Sequence, residues 1–87
     1  MNDIDTDLFG LQYELVDFLG DRGLVVYDDF RAVEVDVGNA EIVVSGLSVP
    51  WGGALESALR LFAAQRVFPV IFYDAETSSV HLRRRVE

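Results

Sequence analysis

Cysteine is absent from the 87 residues, and so is lysine. Without cysteine no disulfide and no thiolate metal centre can form, which fits a reducing compartment and makes a cytoplasmic location the expectation. A single histidine rules out a multi-histidine metal site. No long hydrophobic run is present: the longest, Val67 to Tyr73, falls far short of the roughly 20 residues a membrane-spanning helix needs. The acidic opening MNDIDTDLF has no apolar run behind a basic patch and does not read as a signal peptide. Enzyme signatures are equally sparse. The stretch GLSVPWGG, residues 46–53, follows a predicted strand and enters a helix, but it matches neither a nucleophile elbow nor a phosphate loop. Asp3 and Asp5 lack the glycine and distal glutamate of a calcium loop. Ser48, His81 and Asp74 compose a triad only on paper, as in any chain holding those residue types. No catalytic residue, metal ligand or cofactor is assigned, and the chain is not expected to be an enzyme.

What is present is negative charge, unevenly placed. The net charge is −8, from 15 acids against 7 basic residues, all arginine. Residues 1–47 carry eleven acids and two arginines; residues 48–87 carry four acids and five arginines. Such a chain is repelled by phosphate backbones, which disfavours direct nucleic-acid binding so that none is expected, and attracts basic proteins through its long-range field. Solubility, salt adaptation or an Arg-for-Lys codon bias would produce the same composition. The HLRRRV stretch is the one basic patch, and Arg83 and Arg85 are expected to neutralise acids on a neighbouring strand.

Half the residues are apolar, enough for one modest core in a single domain spanning 1–87. Hydrophobic periodicity predicts a helix over Ile4–Leu19, stopped by Gly20 or Gly23, with Ile4, Leu8, Leu11, Leu15, Phe18 and Leu19 toward the core. At 100° per residue Asp3, Asp7, Glu14, Asp17 and Asp21 share one strip, and Phe9, Tyr13 and Val16 form an apolar edge beside it. Leu24–Tyr27 reads as a short strand and Asp28-Asp29 as a turn. Arg31–Val37 alternates as a strand, Gly38-Asn39 is a two-residue hairpin turn, and Ala40–Gly46 returns. That register sets Val33 against Val44, Val35 against Ile42, and Asp36 against Glu41. The last pair is a like-charge contact that folding alone would not choose, and with Glu34 it forms a second acidic cluster. A second helix runs to Gln65 or Arg66, with Trp51, Leu55, Ala58, Leu59 and Phe62 inward, and Gly53, Ser57, Ala63 and Ala64 outward. Val67–Tyr73 is a strand expected to be covered on both faces, although Pro69 requires an edge or terminal position. Val80–Val86 is the last strand. The expected fold is α+β, in the order α-β-β-β-α-β-β, with two helices on one face of a mostly antiparallel four- or five-stranded sheet.

The two acidic groups carry the functional expectation. The partner-binding residues expected are Asp7, Phe9, Tyr13, Glu14, Asp17, Asp21, Glu34, Asp36 and Glu41. Rows of carboxylates compete for a basic groove that otherwise holds nucleic acid, and an aromatic edge anchors the complex. The expected partner is a basic, nucleic-acid-handling protein or nucleoprotein complex, with no membrane. In size and charge, though in no motif, the chain resembles phage-encoded anti-CRISPR proteins, antitoxins and bacterial immunity proteins, with a phage inhibitor of host defence preferred. The alternative is a small homo-oligomeric structural domain that buries the apolar arc of its first helix and the alanine-lined side of its second, its acidity being background.

Overall fold

The leucines at 8, 11, 15 and 19 recur every three or four residues, and the segment they mark forms the helix α1, Asp3–Asp21. All four leucines are buried, each worth roughly 1.5–3 kcal/mol of removal from water. The helix ends two residues beyond the last leucine, at Asp21. Gly23 adopts φ +80°, its N–H reaches the Gly20 carbonyl, and the Leu24 N–H returns to the Leu19 carbonyl at 2.8 Å. This is the left-handed glycine stop with its apolar contact, Leu19 against Leu24, inside the core. A computed structural model describes residues 3–66, 68 and 70–84, the first five of these by backbone alone; Ile4, Val67, Pro69, Arg85 and Val86 thus lie wholly or by side chain outside the described residues.

Leu24–Tyr27 is not a strand, and the order is α-β-β-α-β-β. Its β-forming composition is overridden by local hydrogen bonds. The Asp29 carboxylate accepts the Val25 N–H at 2.8 Å, the Val25 carbonyl accepts the N–H groups of Asp28 and Asp29, and the Tyr27 N–H donates to Phe30. Only an isolated bridge between Val26 and Phe30 remains.

The sheet contains β1 (Ala32–Asp36), β2 (Glu41–Ser45), β3 (Val70–Asp74) and β4 (Ser79–Arg83), in the spatial order β1-β2-β4-β3, antiparallel throughout. The predicted register of the first hairpin is present, including Asp36 opposite Glu41. Its turn differs in kind. The left-handed residue is Ala40, φ +53°, not Gly38 or Asn39, and the Asp36 carboxylate holds the turn by accepting both the backbone N–H and the side-chain amide of Asn39. The second hairpin repeats this geometry. Ser78 has φ +52°, Asp74 accepts the Glu76 N–H, and an offset of 38 residues separates Ala32 from Val70 and Glu41 from Ser79 alike.

Two rows of side chains cross the inner face of the sheet: Val35, Ile42, Leu82 and Ile71, then Val33, Val44, Val80 and Tyr73. They meet α1, which packs on β1 and β2, and α2 (Ala54–Gln65), which packs on α1. Leu55, Ala58, Leu59 and Phe62 of α2 are buried as the periodicity predicts; Ala63, expected outside, is buried as well. Phe18 and Phe62 join the helices at 5.5 Å between ring centroids. The strand β3 is an edge, as Pro69 requires, and its outward residues Val70 and Phe72 are exposed, so the expected double coverage is absent. No helix among the described residues is long and apolar enough to cross a membrane.

Candidate partner-binding surface

The exposed flank of α1 begins with residues whose positions follow from the leucine face opposite. Phe9 and Tyr13 stand 40° apart around the helix and are 48% and 72% exposed. Tyr13 is an aromatic ring left almost wholly in water, which packing within the chain does not explain. Asp17 and Asp21, at the next 40° steps, are exposed too, and Gly10 lies between them with nothing within 4 Å of a Cβ placed there. Glu14, at the far border of the strip, is not free. The Arg66 Nε, just past α2, donates to it at 2.8 Å. The side chain of Asp7 lies outside the described residues. The other border is also tied down, since Gln12 donates to the Val33 carbonyl of the edge strand β1 at 2.6 Å. The helix is thereby fastened on both sides, and the ridge of Phe9, Tyr13, Asp17 and Asp21 between the fastenings faces outward.

The hairpin acids belong to the other side of the sheet. Glu34 and Glu41 alternate away from the core, whereas α1 packs on the inner face, so the sheet stands between the two acid sets. Glu34 is exposed. Asp36 is engaged in its turn, where the side-chain amide of Asn39, followed by its backbone N–H, holds the carboxyl below the ordinary aspartate value, with Arg83 adding a small contribution. Glu41 offers no surface carboxylate at all: it is 3% exposed. Its two oxygens accept from His81 Nδ1 and Arg83 Nε, each at 3.0 Å. The like-charge contact foreseen between Asp36 and Glu41 is thus relieved from β4, as expected for Arg83.

His81 continues the network. Its Nε2 lies 3.1 Å from Ser79 Oγ, which lies 2.6 Å from Thr77 Oγ1, and its ring stacks on Phe72 at 4.7 Å. A hydroxyl, an imidazole and a carboxylate in series have the connectivity of a nucleophilic triad. However, Ser79 is 4% exposed, and its oxygen is hydrogen-bonded to both Thr77 and His81, so a substrate carbonyl has no approach to it. The series acts as a cross-strand clamp between β2 and β4. The triad composed from sequence does not assemble: the Asp74 carboxylate serves the β3–β4 turn. Among the described residues no group of three potential metal ligands forms. A hollow of about 380 Å³ beside Trp51 is lined by Leu24, Val49, Pro50 and their neighbours, with no ionisable side chain.

Sequence reasoning missed Tyr27, read as a strand end; it projects from the 25–30 loop at 84% exposure. The Asp28-Asp29 turn behind it was legible, but not that the Asp29 carboxylate reaches back to the Val25 N–H and keeps residues 24–27 out of the sheet. Comparison with protein-family models, with curated proteins and with solved structures found no match.

Proposed function

We propose that this chain is a non-enzymatic binding protein that docks the exposed flank of α1 on a basic, nucleic-acid-handling protein partner and occludes it. The observation that carries this reading is the juxtaposition of Tyr13 and Phe9, both exposed, with the exposed acids Asp17 and Asp21 on one helix face. The acids steer the encounter, and the aromatic ridge holds the complex once formed. Residues 1–47, which include the α1 flank, carry eleven acids against two arginines, and Arg66 beside the flank is ion-paired to Glu14, so negative charge dominates there. A phage inhibitor of a host defence complex is the favoured member of this class, ahead of an immunity protein or an antitoxin. Self-association through the Phe9–Tyr13 edge is the second reading, and the like charges of Asp17 and Asp21 in two copies oppose it.

The test is capture from host lysate followed by kinetics with the purified partner. Retention at about 0.1 M salt and release toward about 1 M is expected, as the screening length falls from roughly 10 to 3 Å. Asp17→Asn with Asp21→Asn should slow association, and Tyr13→Ala should speed dissociation about tenfold or more, a loss of at least roughly 1.4 kcal/mol. A partner indifferent to salt and to all three substitutions would overturn the reading. Light scattering that finds a dimer broken by Tyr13→Ala would favour self-association instead.

A further inference from the structure

At the end of the sheet away from the Val37–Ala40 turn, the 25–30 loop, the exit of β2 and the start of β4 enclose an open cleft of about 450 Å³. Phe30, buried, lies at its base; Tyr27, Arg31, Gly46, Ser48 and Ser78 line it. Two exposed side chains of this cleft, Arg31 and Tyr27, stand open to a ligand. The first is Arg31. Every other described arginine is ion-paired or stacked on a ring, whereas Arg31 makes neither contact. The hydroxyls of Ser48 and Ser78 likewise have no partner among the described residues. The second is Tyr27, a bulky residue at φ +76° with its ring in water. A left-handed backbone there suits glycine or asparagine, and no packing of the ring compensates for the strain. Gly46 shows how closely the cleft wall is built: at φ +66°, a Cβ on it would stand 2.5 Å from the Arg31 Cβ.

We propose that this cleft is a binding site for a small oxyanion that carries a planar apolar group. The Arg31 guanidinium takes the anion as a two-pronged donor, Ser48 and Ser78 supply hydroxyl donors, and the Tyr27 ring covers the apolar part. The acids of the first hairpin turn do not oppose this, while in the second turn, next to Ser78, Asp74 accepts the Glu76 N–H and Glu76 is an exposed acid. Arg31 and Asp36 are five strand residues apart, roughly 17 Å, beyond the screening length of about 8 Å at physiological salt. In the 25–30 loop itself, the Asp29 carboxylate is bound to the Val25 N–H, which leaves Asp28 as that loop's exposed acid. The site is independent of the α1 flank, and its fate does not depend on the partner proposed above.

The test is a titration of the full-length, isotope-labelled protein followed by NMR at constant ionic strength, with phenyl phosphate, inorganic phosphate and benzoate as separate probes. Saturable shifts at Gly46, Ser48, Ser78 and the Arg31 side chain are expected with phenyl phosphate or benzoate, with a Kd of about 1 mM or tighter. The probe bound more tightly tells a phosphate ester from a carboxylate as the natural ligand. Arg31→Gln should weaken binding about tenfold, and Arg31→Lys, which keeps the charge but loses the fork, should weaken it less. Tyr27→Gly should melt at higher temperature, because the left-handed strain is gone, and yet bind phenyl phosphate more weakly, with inorganic phosphate unaffected. Shifts that rise linearly like those of sodium chloride, or that persist unchanged in Arg31→Gln, would overturn the proposal.

Discussion

Two glycines set the range of what one methyl group does in this molecule. Gly10 sits mid-helix with open space around it, so its absent side chain only weakens α1. Gly10→Ala is expected to raise stability by about 0.5–1 kcal/mol in urea denaturation. Gly46 combines a left-handed backbone with the Arg31 side chain against it. There the same substitution should cost about 2–4 kcal/mol, the sum of backbone strain and overpacking. At 100° per residue Gly10 falls within the strip of Asp17 and Asp21, so its surface position is legible from periodicity. Nothing in the sequence near Gly46 distinguished it, because the atom it must avoid belongs to Arg31, on the neighbouring strand. Phe9, Tyr13, Asp17 and Asp21 were legible for the opposite reason: the four buried leucines of their own helix determine where they point. Glu41 was misjudged because its burial depends on His81 and Arg83, forty residues on, across a strand pairing that one sequence does not disclose.

Each hairpin turn is held by an aspartate at its first strand's end. In the first, the carboxylate form of Asp36 is the form that accepts the two Asn39 hydrogen bonds, and these lower its pKa. A group lowered on folding contributes its stability above the unfolded value, and that contribution fades as pH falls from the ordinary aspartate value through the lower folded one. The Asn39 amide shifts should therefore move with an acid midpoint below that of a free aspartate, and Asp36→Asn should abolish that step while leaving the neutral-pH spectrum of the sheet intact. The alternating valines and the Gly38-Asn39 pair disclosed the first hairpin's register, since a slip of one residue would turn Val33 and Val35 to water. The sequence Ala75–Ser78 holds no glycine, so the matching geometry of the second turn left no comparable trace. Leu24–Tyr27 was misread for a related reason: its strand-forming side chains say nothing of the Asp29 carboxylate that captures the Val25 N–H.

At the scale of the whole molecule the chain runs helix-hairpin twice, and the two hairpins meet along β2 and β4 in a register centred on Val43 and His81. The strand order β1-β2-β4-β3 is unchanged by a half-turn about that centre, although the two hairpin sequences share little beyond Asp36 and Asp74. A seam of this kind has a hazard. By the same half-turn, β2 could pair with the β2 of another copy, and β4 with another β4. In the first pairing Glu41 would fall opposite Ser45, and both copies would bury a carboxylate with no cation; in the second, Arg83 would face Ser79 and each His81 would face its counterpart. An unpaired buried charge costs several kcal/mol, so the pairing of β2 with itself is penalised and the unlike one is not, whereas Arg83, exposed, imposes no such cost on β4. A chain cut within residues 46–53 and co-expressed as two pieces should accordingly reassemble one-to-one, with pairs of the first piece alone absent from native mass spectra. Glu41→Val in the first piece should let it pair with itself. The buried glutamate thus acts as an address within the chain, directing the open edge of one hairpin to the other and away from its own copy.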